Sequence, residues 1–425
     1  MNKNSENLSF LDPKDGELSY CMVSGSNDIE DVIDLGDQPL CDSLLTNLDK
    51  EKKIEKFYPL RIKANYKLGC SQLSYIVPGK EVYHADYPYR PGITKQIVEH
   101  HASQASENIN KYGIDNRSLV VDIGSNDGTL LRQYQLKDMR VLGVEPTNIA
   151  DIANEDGIET FKVPFDLNIS NKIIDSHGKA KLITATNVFA HMSQLGQVIK
   201  GINNLLTDDG IFILENHYMV DILKYNQYDT IYHEHIRNYS LKSIIHLFSL
   251  INMKVIYAEI IQRYQGSIKV VVSKNMNAHV DDSVVNILKN ESEFGLYSKG
   301  VWNDFRLNVK NTKNNLLKVL HELKTEGKSV VGNSCPGRCS TLLNYCGINS
   351  DLIPYIAEQS TSLKLNKFLP GMHIPIVDNK ILSEQQPDYI LLLAWHLKDP
   401  IIKYLRERDV RSSFIVPLPD VKIIN

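Results

Sequence analysis

The chain has 425 residues, more than one ordinary hydrophobic core needs, so we expect two or three domains. Hydrophobic residues make up 42% and charged residues 23%, which excludes a chain that is disordered throughout. Lys and Arg total 47 against 51 Asp and Glu, and the net charge of -4 excludes a generally basic surface that coats nucleic acid.

The ends and the cysteines of the chain predict its compartment. Residues 1–6 are polar and lead into no apolar segment, so no secretory signal is expected. The longest apolar run, 389–395, is too short to cross a bilayer. Six cysteines in such a chain are expected to be reduced thiols. We expect a soluble cytoplasmic protein that binds a small molecule, but no nucleic acid or membrane, as a monomer or weak oligomer.

The pattern of apolar segments divides the chain into three parts. Residues 1–86 hold short apolar segments between turn residues, which predicts a small β-rich N-terminal module. Residues 87–275 alternate strand, glycine-bearing turn and helix, which predicts a mostly parallel sheet covered by helices on both faces. Residues 276–425 start with a helical pattern at 281–326 and continue as a second α/β unit. The predicted fold class is α/β, with two Rossmann-like domains after the module.

Individual elements follow from the same patterns. In the middle part we expect strands at 119–123, 140–145, 181–186 and 210–215, helices at 129–134 and 191–206, and a closing hairpin of 253–261 and 267–273. In the last part we expect strands at 329–332, 351–357 and 388–394, and helices at 339–346 and 400–408.

A glycine-bearing turn between two acidic residues follows the strand at 119–123. Gly124 lets the backbone turn tightly and approach a ligand. Asn126 stands where a dinucleotide fingerprint needs its second glycine, which disfavours pyrophosphate binding. Asp122 ends the strand, and Glu145, 21 residues after Gly124, is placed to accept hydrogen bonds from ribose hydroxyls. This set favours S-adenosylmethionine over NAD, although an ordinary glycine turn is the structural alternative. The expected cofactor-binding residues are Asp122, Gly124, Ser125, Asn126, Gly128, Glu145, Pro146 and Asn187.

Residues 229–235 are dense in groups that move protons. His233 and His235 flank Glu234, and Tyr232 adds a phenol. An imidazole with a pKa of about 6.5 suits a general base near neutral pH, and an adjacent carboxylate can orient it. The two histidines are two residues apart, which disagrees with the spacing of an H-E-x-x-H zinc site. A solvated polar turn is the alternative. His191 follows a predicted strand, at the sheet edge where α/β proteins bind ligands.

These motifs, taken in chain order, resemble the S-adenosylmethionine-dependent sugar C-methyltransferases, which act on nucleotide-linked 4-keto-deoxysugars. The matching segments are 32–40, 87–89, 123–128, 229–235, 341–347, 369–375 and 387–389. The resemblance covers nearly the whole chain. It implies that the middle part is a class I methyltransferase domain and that the cofactor is S-adenosylmethionine.

The resemblance also implies a mechanism. His235 would remove the proton at C3 of the sugar, which the neighbouring keto group acidifies, and Glu234 would hold and polarise that imidazole. The enolate would then attack the sulfonium methyl group, while neutral donors stabilise the charge on the C4 oxygen. The expected donors are Tyr232, His191 and one of Tyr87 and Tyr89.

The sequence departs from the family where the N-terminal module usually binds structural zinc through two Cys-x-x-Cys pairs. Cys21 is the only ligand of the four that remains; the other positions hold Ser24, Asn65 and Leu68. A closed zinc site needs about four N or S donors, and Cys41 and Cys70 are wrongly spaced to replace them. We therefore expect no zinc and no other metal.

Two turns differ from the family at the expected substrate side. The family's His-Gly-Gly-Ser reads Tyr264-Gln265-Gly266-Ser267, which suggests a different ring substituent on the sugar. A turn of small residues before the helix at 339–346 is a workable anion site, although an ordinary strand–helix connection is as good an explanation. The residues expected to bind the nucleotide diphosphate are Asn333, Ser334, Gly337, Arg338 and Lys364.

The sequence thus predicts a C-methyltransferase that acts on a nucleotide-linked 4-keto-deoxysugar, at C3. Two alternatives remain open. One is a keto-sugar epimerase or isomerase that keeps the acid–base residues without methyl transfer. The other is a noncatalytic protein that binds the cofactor or the sugar. The joint presence of Asp122, Glu145, Glu234 and His235 weighs against the second, because a site without chemistry does not need them.

Overall fold

A computed structural model describes residues 8–52, 54–82, 95–262 and 265–425. Tyr87, Tyr89 and Tyr264, three residues of the predicted substrate pocket, lie outside these ranges. Within them, no helix combines the length and apolar character that crossing a membrane requires.

The N-terminal module is rich in strands, as expected. Its strands are β1 (Gly16–Glu17), β2 (Glu30–Pro39), β3 (Phe57–Asn65), β4 (Cys70–Leu73) and β5 (Tyr75–Ile76), and its short helices are α1 (Leu48–Glu51) and α2 (Gly79–Val82). Strands β2, β3 and β4 form an antiparallel sheet, and β1 pairs with β5. Alternate residues of β3, such as Leu60, Ile62 and Ala64, are buried, which agrees with the alternating pattern of the sequence. The alternation is interrupted in β2, where the pairing with β3 has two register shifts.

The middle domain is a twisted sheet between helices. Its helices are α3 (Lys95–Tyr112), α4 (Thr129–Gln135), α5 (Ile149–Glu155), α6 (Leu167–His177), α7 (Leu195–Leu205), α8 (Met219–Lys224) and α9 (Leu241–Ser249). Its strands are β6 (Leu119–Ile123), β7 (Arg140–Val144), β8 (Thr160–Phe161), β9 (Ala180–Thr186), β10 (Leu206–His217), β11 (Arg237–Asn238), β12 (Lys254–Ile261) and β13 (Ser267–Ser273).

The strand order of the main sheet is β12-β13-β10-β9-β6-β7-β8. Strands β6 to β10 pair in parallel, and the β12–β13 hairpin closes the edge in antiparallel register, which confirms the predicted hairpin. All five residues of β6 are buried, as a strand covered on both faces requires. The parallel order brings the carboxyl ends of β6, β7, β9 and β10 to one edge, where α/β sheets bind their ligands.

One predicted helix starts later than expected. The helix predicted at 191–206 begins at Leu195 instead, and His191 is the last residue of a short 3₁₀ helix, Phe189–His191. The apolar residues of α7, such as Val198, Ile199 and Ile202, follow the helical period and are buried, whereas the segment before Leu195 lacks that period.

The C-terminal domain is the predicted second Rossmann-like unit. Its strands are β14 (Val330–Asn333), β15 (Ile356–Glu358), β16 (Ile376–Asp378), β17 (Tyr389–Leu392), β18 (Ser413–Val416) and β19 (Lys422–Ile424). Its helices are α10 (Asp282–Glu293), α11 (Lys299–Thr325), α12 (Arg338–Cys346), α13 (Ile381–Gln385) and α14 (Lys398–Arg406). The single helical pattern at 281–326 is therefore two helices, and Gly295, with φ +82°, lies in the turn between them.

The three parts share contacts that position the cleft between them. Strand β11 follows residues 229–235 in the chain and pairs with β4 of the N-terminal module. One hydrophobic cluster joins Leu60 of the module and Tyr228 of the middle domain with Trp302 and Leu342 of the C-terminal domain. Residues 229–235 are thus held between all three parts.

Candidate active site

A cleft of about 1430 Å³ opens at the carboxyl edge of the main sheet. A pocket for one drug-sized ligand has about 300–1,000 Å³, so this cleft has room for two ligands. The turn after β6, with Gly124, and the end of β7, with Glu145, line it from the middle domain. Ser334 and Lys364 line it from the C-terminal domain.

The turn after β6 has the tight conformation that its glycine predicted. Gly124 has φ +70°, and a Cβ atom there would lie 2.5 Å from Cγ1 of Val188. Asn126 also has a positive φ, 50°, a conformation that Asn tolerates better than most residues. Asn126 therefore continues the tight turn that starts at Gly124, although it has a Cβ atom.

The two acidic residues beside this turn line the cleft and are held in place by hydrogen bonds. The Glu145 carboxylate accepts from the backbone N–H groups of Asn126, at 3.2 Å, and Thr147, at 2.8 Å. The Thr184 hydroxyl donates to Oδ1 of Asp122 at 2.6 Å. Burial raises the pKa of Asp122 to about 7. These hydrogen bonds therefore fix the orientation of the Asp122 and Glu145 side chains.

The remaining predicted cofactor residues divide into two groups. Ser125, Pro146 and Asn187 line the cleft. Gly128 instead precedes α4 with φ +74°, and a Cβ atom there would lie 3.1 Å from the Ile158 side chain. Gly128 is not among the described residues that line the cleft, and its positive φ gives it a conformational role in the turn, so its contact with the cofactor stays a prediction.

The His235 imidazole faces the cleft and has a defined tautomer. Its Nδ1 atom lies 2.7 Å from the carbonyl oxygen of Thr230, and a carbonyl only accepts, so Nδ1 carries the proton. Nε2 therefore has the lone pair and accepts a hydrogen bond from the Tyr232 hydroxyl at 2.8 Å. Burial, with smaller contributions from His191 and His217, holds the pKa of His235 well below its usual value. The ring is neutral at pH 7, as a general base requires.

Glu234 contacts a different histidine from the one expected. Both ring nitrogens of His235 are occupied by Thr230 and Tyr232, so the prediction that Glu234 holds this ring is wrong. The Glu234 carboxylate lies 3.5 Å from Nδ1 of His191, and the His191 ring stands edge-on to His235 at 4.8 Å between centroids. Glu234 thus acts on the neighbouring imidazole.

His233 is separated from this chemistry. Its Nε2 atom lies 3.2 Å from the carbonyl oxygen of Tyr58 in the N-terminal module, and burial lowers its pKa to about 4. Of the two histidines that flank Glu234, His235 faces the cleft and His233 packs against the module. Residues two apart point to the same face in a β-strand, but residues 231–236 form bends and turns, so His233 and His235 point in different directions.

Arg338 is not available for the predicted bidentate contact with a diphosphate. Its Nε and Nη2 atoms donate to the two carboxylate oxygens of Asp229 at 2.8 and 2.7 Å. Nη2 also donates to Oε1 of Gln227 at 3.2 Å. The Trp395 indole N–H donates to the same Asp229 carboxylate at 2.8 Å, and both members of the ion pair are buried. The guanidinium joins the C-terminal domain to residues 227–229 instead.

The other predicted diphosphate residues differ in position. Ser334, Gly337 and Lys364 line the cleft, and Lys364 pairs with Asp42 at 2.9 Å. The Asn333 side chain donates to the carbonyl oxygen of Ala357 at 3.0 Å, which ties β14 to β15. Asn333 is not among the described residues that line the cleft, so its contact with the substrate stays a prediction.

Four histidines that line the cleft were not predicted from the sequence: His100 and His101 on α3, and His217 and His396 at or just after the ends of strands. His217 ends β10, and its ring stands edge-on to His235 at 5.2 Å. His396 follows β17, and its Nδ1 atom lies 3.2 Å from Nη1 of Arg338. His217 and His396 both lie at or just after the carboxyl end of a strand in a mostly parallel sheet. The same signal identified His191, and it was sufficient to find these two histidines.

Three possible metal ligands lie close together beside the cleft. Oxygen or sulfur atoms of Cys41, Asp42 and Glu234 are within 4.8 Å of one another. The Lys364 ammonium already pairs with Asp42, and burial raises the pKa of Cys41 well above its usual value, so this thiol stays protonated. A protonated thiol and a lysine-paired carboxylate are poor ligands for a cation.

The residues at the family's zinc positions do not fit a zinc ion. The Asn65 side chain donates to the Ser24 hydroxyl at 3.4 Å and accepts from the Leu68 backbone N–H at 3.1 Å. The Leu68 side chain packs on the same hydrophobic cluster as Cys21 and Cys70. Cys70, although wrongly spaced in sequence, forms a hydrogen bond with Cys21. Polar and apolar contacts therefore occupy the place of the metal.

We expect purified protein to contain well under one zinc per chain, and its melting temperature to be unchanged by EDTA. The physical reason is that two thiols and two neutral side chains do not complete a four-donor zinc site. Elemental analysis and thermal unfolding with and without EDTA measure both quantities. Near-stoichiometric zinc, or a clear fall in the melting temperature with EDTA, would contradict this expectation.

Three family models match consecutive parts of the chain. Residues 21–83 match "Putative zinc binding domain", residues 97–258 match "Methyltransferase domain", and residues 263–419 match "C-methyltransferase C-terminal domain". The zinc-binding match is to a module whose ligands this chain has largely replaced.

Solved structures resemble less than half of this chain, and only distantly. A protein from Pyrococcus horikoshii is 15% identical, with a TM-score of 0.35, over 44% of this chain and 96% of its own. An S-adenosylmethionine-dependent methyltransferase from Clostridium acetobutylicum is 13% identical, with a TM-score of 0.34, over 42% of this chain and 92% of its own. At these scores the likenesses do not bear on the assignment.

A full-length relative gives a much stronger match. The C-methyltransferase NovU of Streptomyces niveus is 31% identical over 411 residues, which are 96% of this chain and 97% of NovU. The match includes all three parts of the fold and the cleft between them. The chain therefore belongs to the family of S-adenosylmethionine-dependent C-methyltransferases that includes NovU, which confirms the resemblance found in its sequence motifs.

Proposed function

We propose that this enzyme methylates C3 of a nucleotide-linked 4-keto-deoxysugar, with His235 as the general base. The observation that carries the proposal is the neutral His235 ring, whose lone pair is directed at Tyr232 in the same cleft as the Gly124 turn and Glu145. Forming a carbon–carbon bond at a sugar carbon requires a carbanion equivalent, and a neighbouring ketone and a neutral base provide it.

The residues around the Gly124 turn fit S-adenosylmethionine. Glu145 presents a fixed carboxylate for the ribose hydroxyls, and Gly124 leaves the space that a Cβ atom would fill. Asp122, with Asn187 nearby in the cleft lining, offers a carboxylate for an amine-bearing ligand. When bound, the cofactor supplies an electrophilic methyl group. The residues named here orient it and keep water out of the cleft.

His235 would take the C3 proton on Nε2. The Thr230 carbonyl keeps Nδ1 protonated, so the lone pair stays on the nitrogen that faces Tyr232. Bound substrate would replace the Tyr232 hydroxyl at Nε2, which frees this hydroxyl to donate to the C4 oxygen as negative charge develops there. Burial keeps the pKa of Tyr232 well above its usual value, so the hydroxyl remains a donor.

His191 is a second donor candidate for the C4 oxygen. Its Nδ1 atom lies 3.5 Å from the Glu234 carboxylate, and the ring lies against His235. A carboxylate accepts, so this contact favours a hydrogen on Nδ1. A neutral imidazole has one N–H, so His191 donates to the C4 oxygen from Nε2 only when both of its nitrogens carry hydrogen. The arrangement supports a role for Glu234 in orienting this ring. Each such donor typically lowers the barrier by about 2.7–4 kcal/mol.

The sugar nucleotide is supported by the motif resemblance and by the size of the cleft. The part of the cleft lined by the C-terminal domain, with Ser334 and Lys364, is additional to the part beside the Gly124 turn. A second ligand with a ketone next to an acidic C–H fits the chemistry of His235. The polar lining residues Gln359, Thr361 and Ser362 suit the hydroxyl and phosphate oxygens of such a ligand.

The proposal is tested by incubating the enzyme with a panel of nucleotide-4-keto sugars and methyl-labelled S-adenosylmethionine in deuterated buffer. We expect one sugar to gain one labelled methyl group by mass spectrometry, with NMR locating it at C3. Deuterium incorporation without methyl gain would replace the proposal with an epimerase or isomerase. Methylation at another atom would reject the C3 assignment, and the absence of any conversion would reject the sugar substrate.

A further inference from the structure

We propose that His396 is a substrate-binding residue, a neutral N–H donor to an oxygen of the sugar nucleotide, and that Arg338 is the positioning residue that orients it. This inference rests on the proposed function and adds a contact from the C-terminal domain to it. The proposed catalytic residues of this reaction all belong to the middle domain. Through His396, the C-terminal domain would contact the substrate as well.

Arg338 is held in one orientation by its partners. Its two bonds to the Asp229 carboxylate are parallel and short, at 2.8 and 2.7 Å, which is the strong bidentate form of this contact. Gln227 accepts a further N–H, and the guanidinium carbon lies 5.1 Å from the centre of the Trp395 ring. Four buried contacts around one planar group leave it little freedom, so Nη1 points in a fixed direction.

This fixed Nη1 determines the tautomer of His396. Nη1 lies 3.2 Å from Nδ1 of His396, and a guanidinium only donates. Nδ1 must therefore be the accepting nitrogen, and Nε2 carries the hydrogen. Burial, and then the positive charge of Arg338, hold the pKa of His396 well below its usual value, so the ring is neutral. The result is a ring with one N–H donor and no charge.

The two cleft histidines thus have opposite tautomers, and adjacent residues set them. Thr230 accepts from Nδ1 of His235, which leaves Nε2 of that ring as an acceptor. Asp229, the preceding residue, binds Arg338, which makes Nε2 of His396 a donor. One ring suits the removal of a proton, and the other suits binding an oxygen atom. Both line the same cleft.

His396 is well placed for a substrate rather than for the cofactor. It lies in the 3₁₀ helix Trp395–Leu397, just after β17 of the C-terminal domain. Lining residues of the same domain include Ser334, Lys364 and Leu397. The Leu397 side chain is 41% exposed and gives the cleft an apolar surface beside the polar His396 ring. Such a surface suits a ligand that has a flat base or sugar face as well as oxygen atoms.

A kinetic comparison of His396→Ala, His396→Gln and the distant control His279→Ala tests the proposal on a sugar that the wild-type enzyme methylates. His396→Ala removes the donor, and we expect the KM for the sugar to rise about ten-fold, as the loss of a hydrogen bond to a polar or charged oxygen predicts. His396→Gln keeps an N–H donor and should recover most of that loss. The affinity for S-adenosylhomocysteine, and kcat, should change less than two-fold in all three.

Each other result counts against the proposal. An unchanged KM in His396→Ala would overturn it. An equal rise in KM in His396→Ala and His396→Gln, together with a lower melting temperature and a lower affinity for S-adenosylhomocysteine, would show that His396 has a structural role instead. Wild-type enzyme that methylates no nucleotide sugar would reject the proposed function, and this inference with it, whereas wild-type activity with an unchanged His396→Ala variant would reject the inference alone.

Nitrogen NMR of ¹⁵N-histidine-labelled enzyme tests the orientation without any substrate. We expect the His396 ring to be neutral at pH 7 with its hydrogen on Nε2, and we expect Arg338→Lys to weaken this preference, because a single ammonium cannot bind Asp229 on both oxygens and also reach Nδ1. A hydrogen on Nδ1, or a charged ring, in the wild-type protein would overturn the assigned tautomer.

Discussion

Replacing His235 with Asn should abolish proton exchange at C3 and reduce methyl transfer about 10³-fold, while leaving the affinity for S-adenosylmethionine nearly unchanged. General-base catalysis contributes about 10²–10⁴-fold, and asparagine cannot accept a proton near pH 7. The side chain keeps an amide N–H that can still donate to the Thr230 carbonyl, 2.7 Å from Nδ1 in the native protein, so the surrounding turn should persist. Deuterium exchange followed by NMR and single-turnover methylation measure the two steps separately.

His321→Asn is the matched control for this substitution, because His321 is exposed on α11 and far along the chain from the cleft residues. It should retain full activity. Turnover of His235→Asn within ten-fold of the wild type would mean that the base is another residue. Loss of cofactor binding in His235→Asn would instead show that the ring supports the fold of the cleft.

Gly124→Ala should weaken S-adenosylmethionine binding about 10- to 100-fold. The new Cβ atom would lie 2.5 Å from Cγ1 of Val188, a branched and stiff side chain, and φ at this position is +70°. Relieving such a contact costs about 1–3 kcal/mol and moves the turn that lines the cleft. Each 1.4 kcal/mol of lost binding free energy is a ten-fold change in Kd. Isothermal titration with S-adenosylhomocysteine measures the affinity.

The control for backbone strain is Gly157→Ala. Gly157 has a similar φ of +78°, but no atom lies within 4 Å of the position its Cβ would take. Both substitutions force an L-residue into the left-handed region, so both should destabilise the fold by about 1–2 kcal/mol. The affinity for the cofactor should fall in Gly124→Ala alone. Equal affinity in the two variants would show that the contact with Val188 is relieved without moving the turn.

Local signals in the sequence were sufficient for the cofactor turn and for many of the predicted elements, although the strand predicted at 351–357 is only the shorter Ile356–Glu358. The buried strand β6, the turn at Gly124 and the acid at Glu145 are all neighbours along the chain or separated by one helix. Their geometry depends on short-range rules: glycine permits a positive φ, and a parallel strand delivers its last residue to the binding edge. The helix after His191 was misjudged at its start, because 3₁₀ turns have no distinct apolar period.

The hydrogen-bonding partners of charged side chains could not be predicted from local signals in the sequence. Arg338 looked like a phosphate ligand because a helix N-terminus and a guanidinium both bind anions. Its actual partner, Asp229, is 109 residues away and was itself assigned to the catalytic stretch only by resemblance. Glu234 was expected to hold His235, its neighbour in sequence, yet Thr230 holds that ring and Glu234 contacts His191.

The amino-acid sequence by itself determined the three-part α/β architecture, the family, and the turn at Gly124 with its flanking acidic residues, because patterning and turn chemistry act over a few residues. Only the tertiary structure decided which residues of the cleft touch, and which nitrogen of His235 and of His396 carries its hydrogen. Those properties depend on contacts between residues that are far apart in the chain, such as Arg338 and Asp229. A hydrogen bond depends on the distance between two atoms in space, and short-range sequence patterns do not determine that distance.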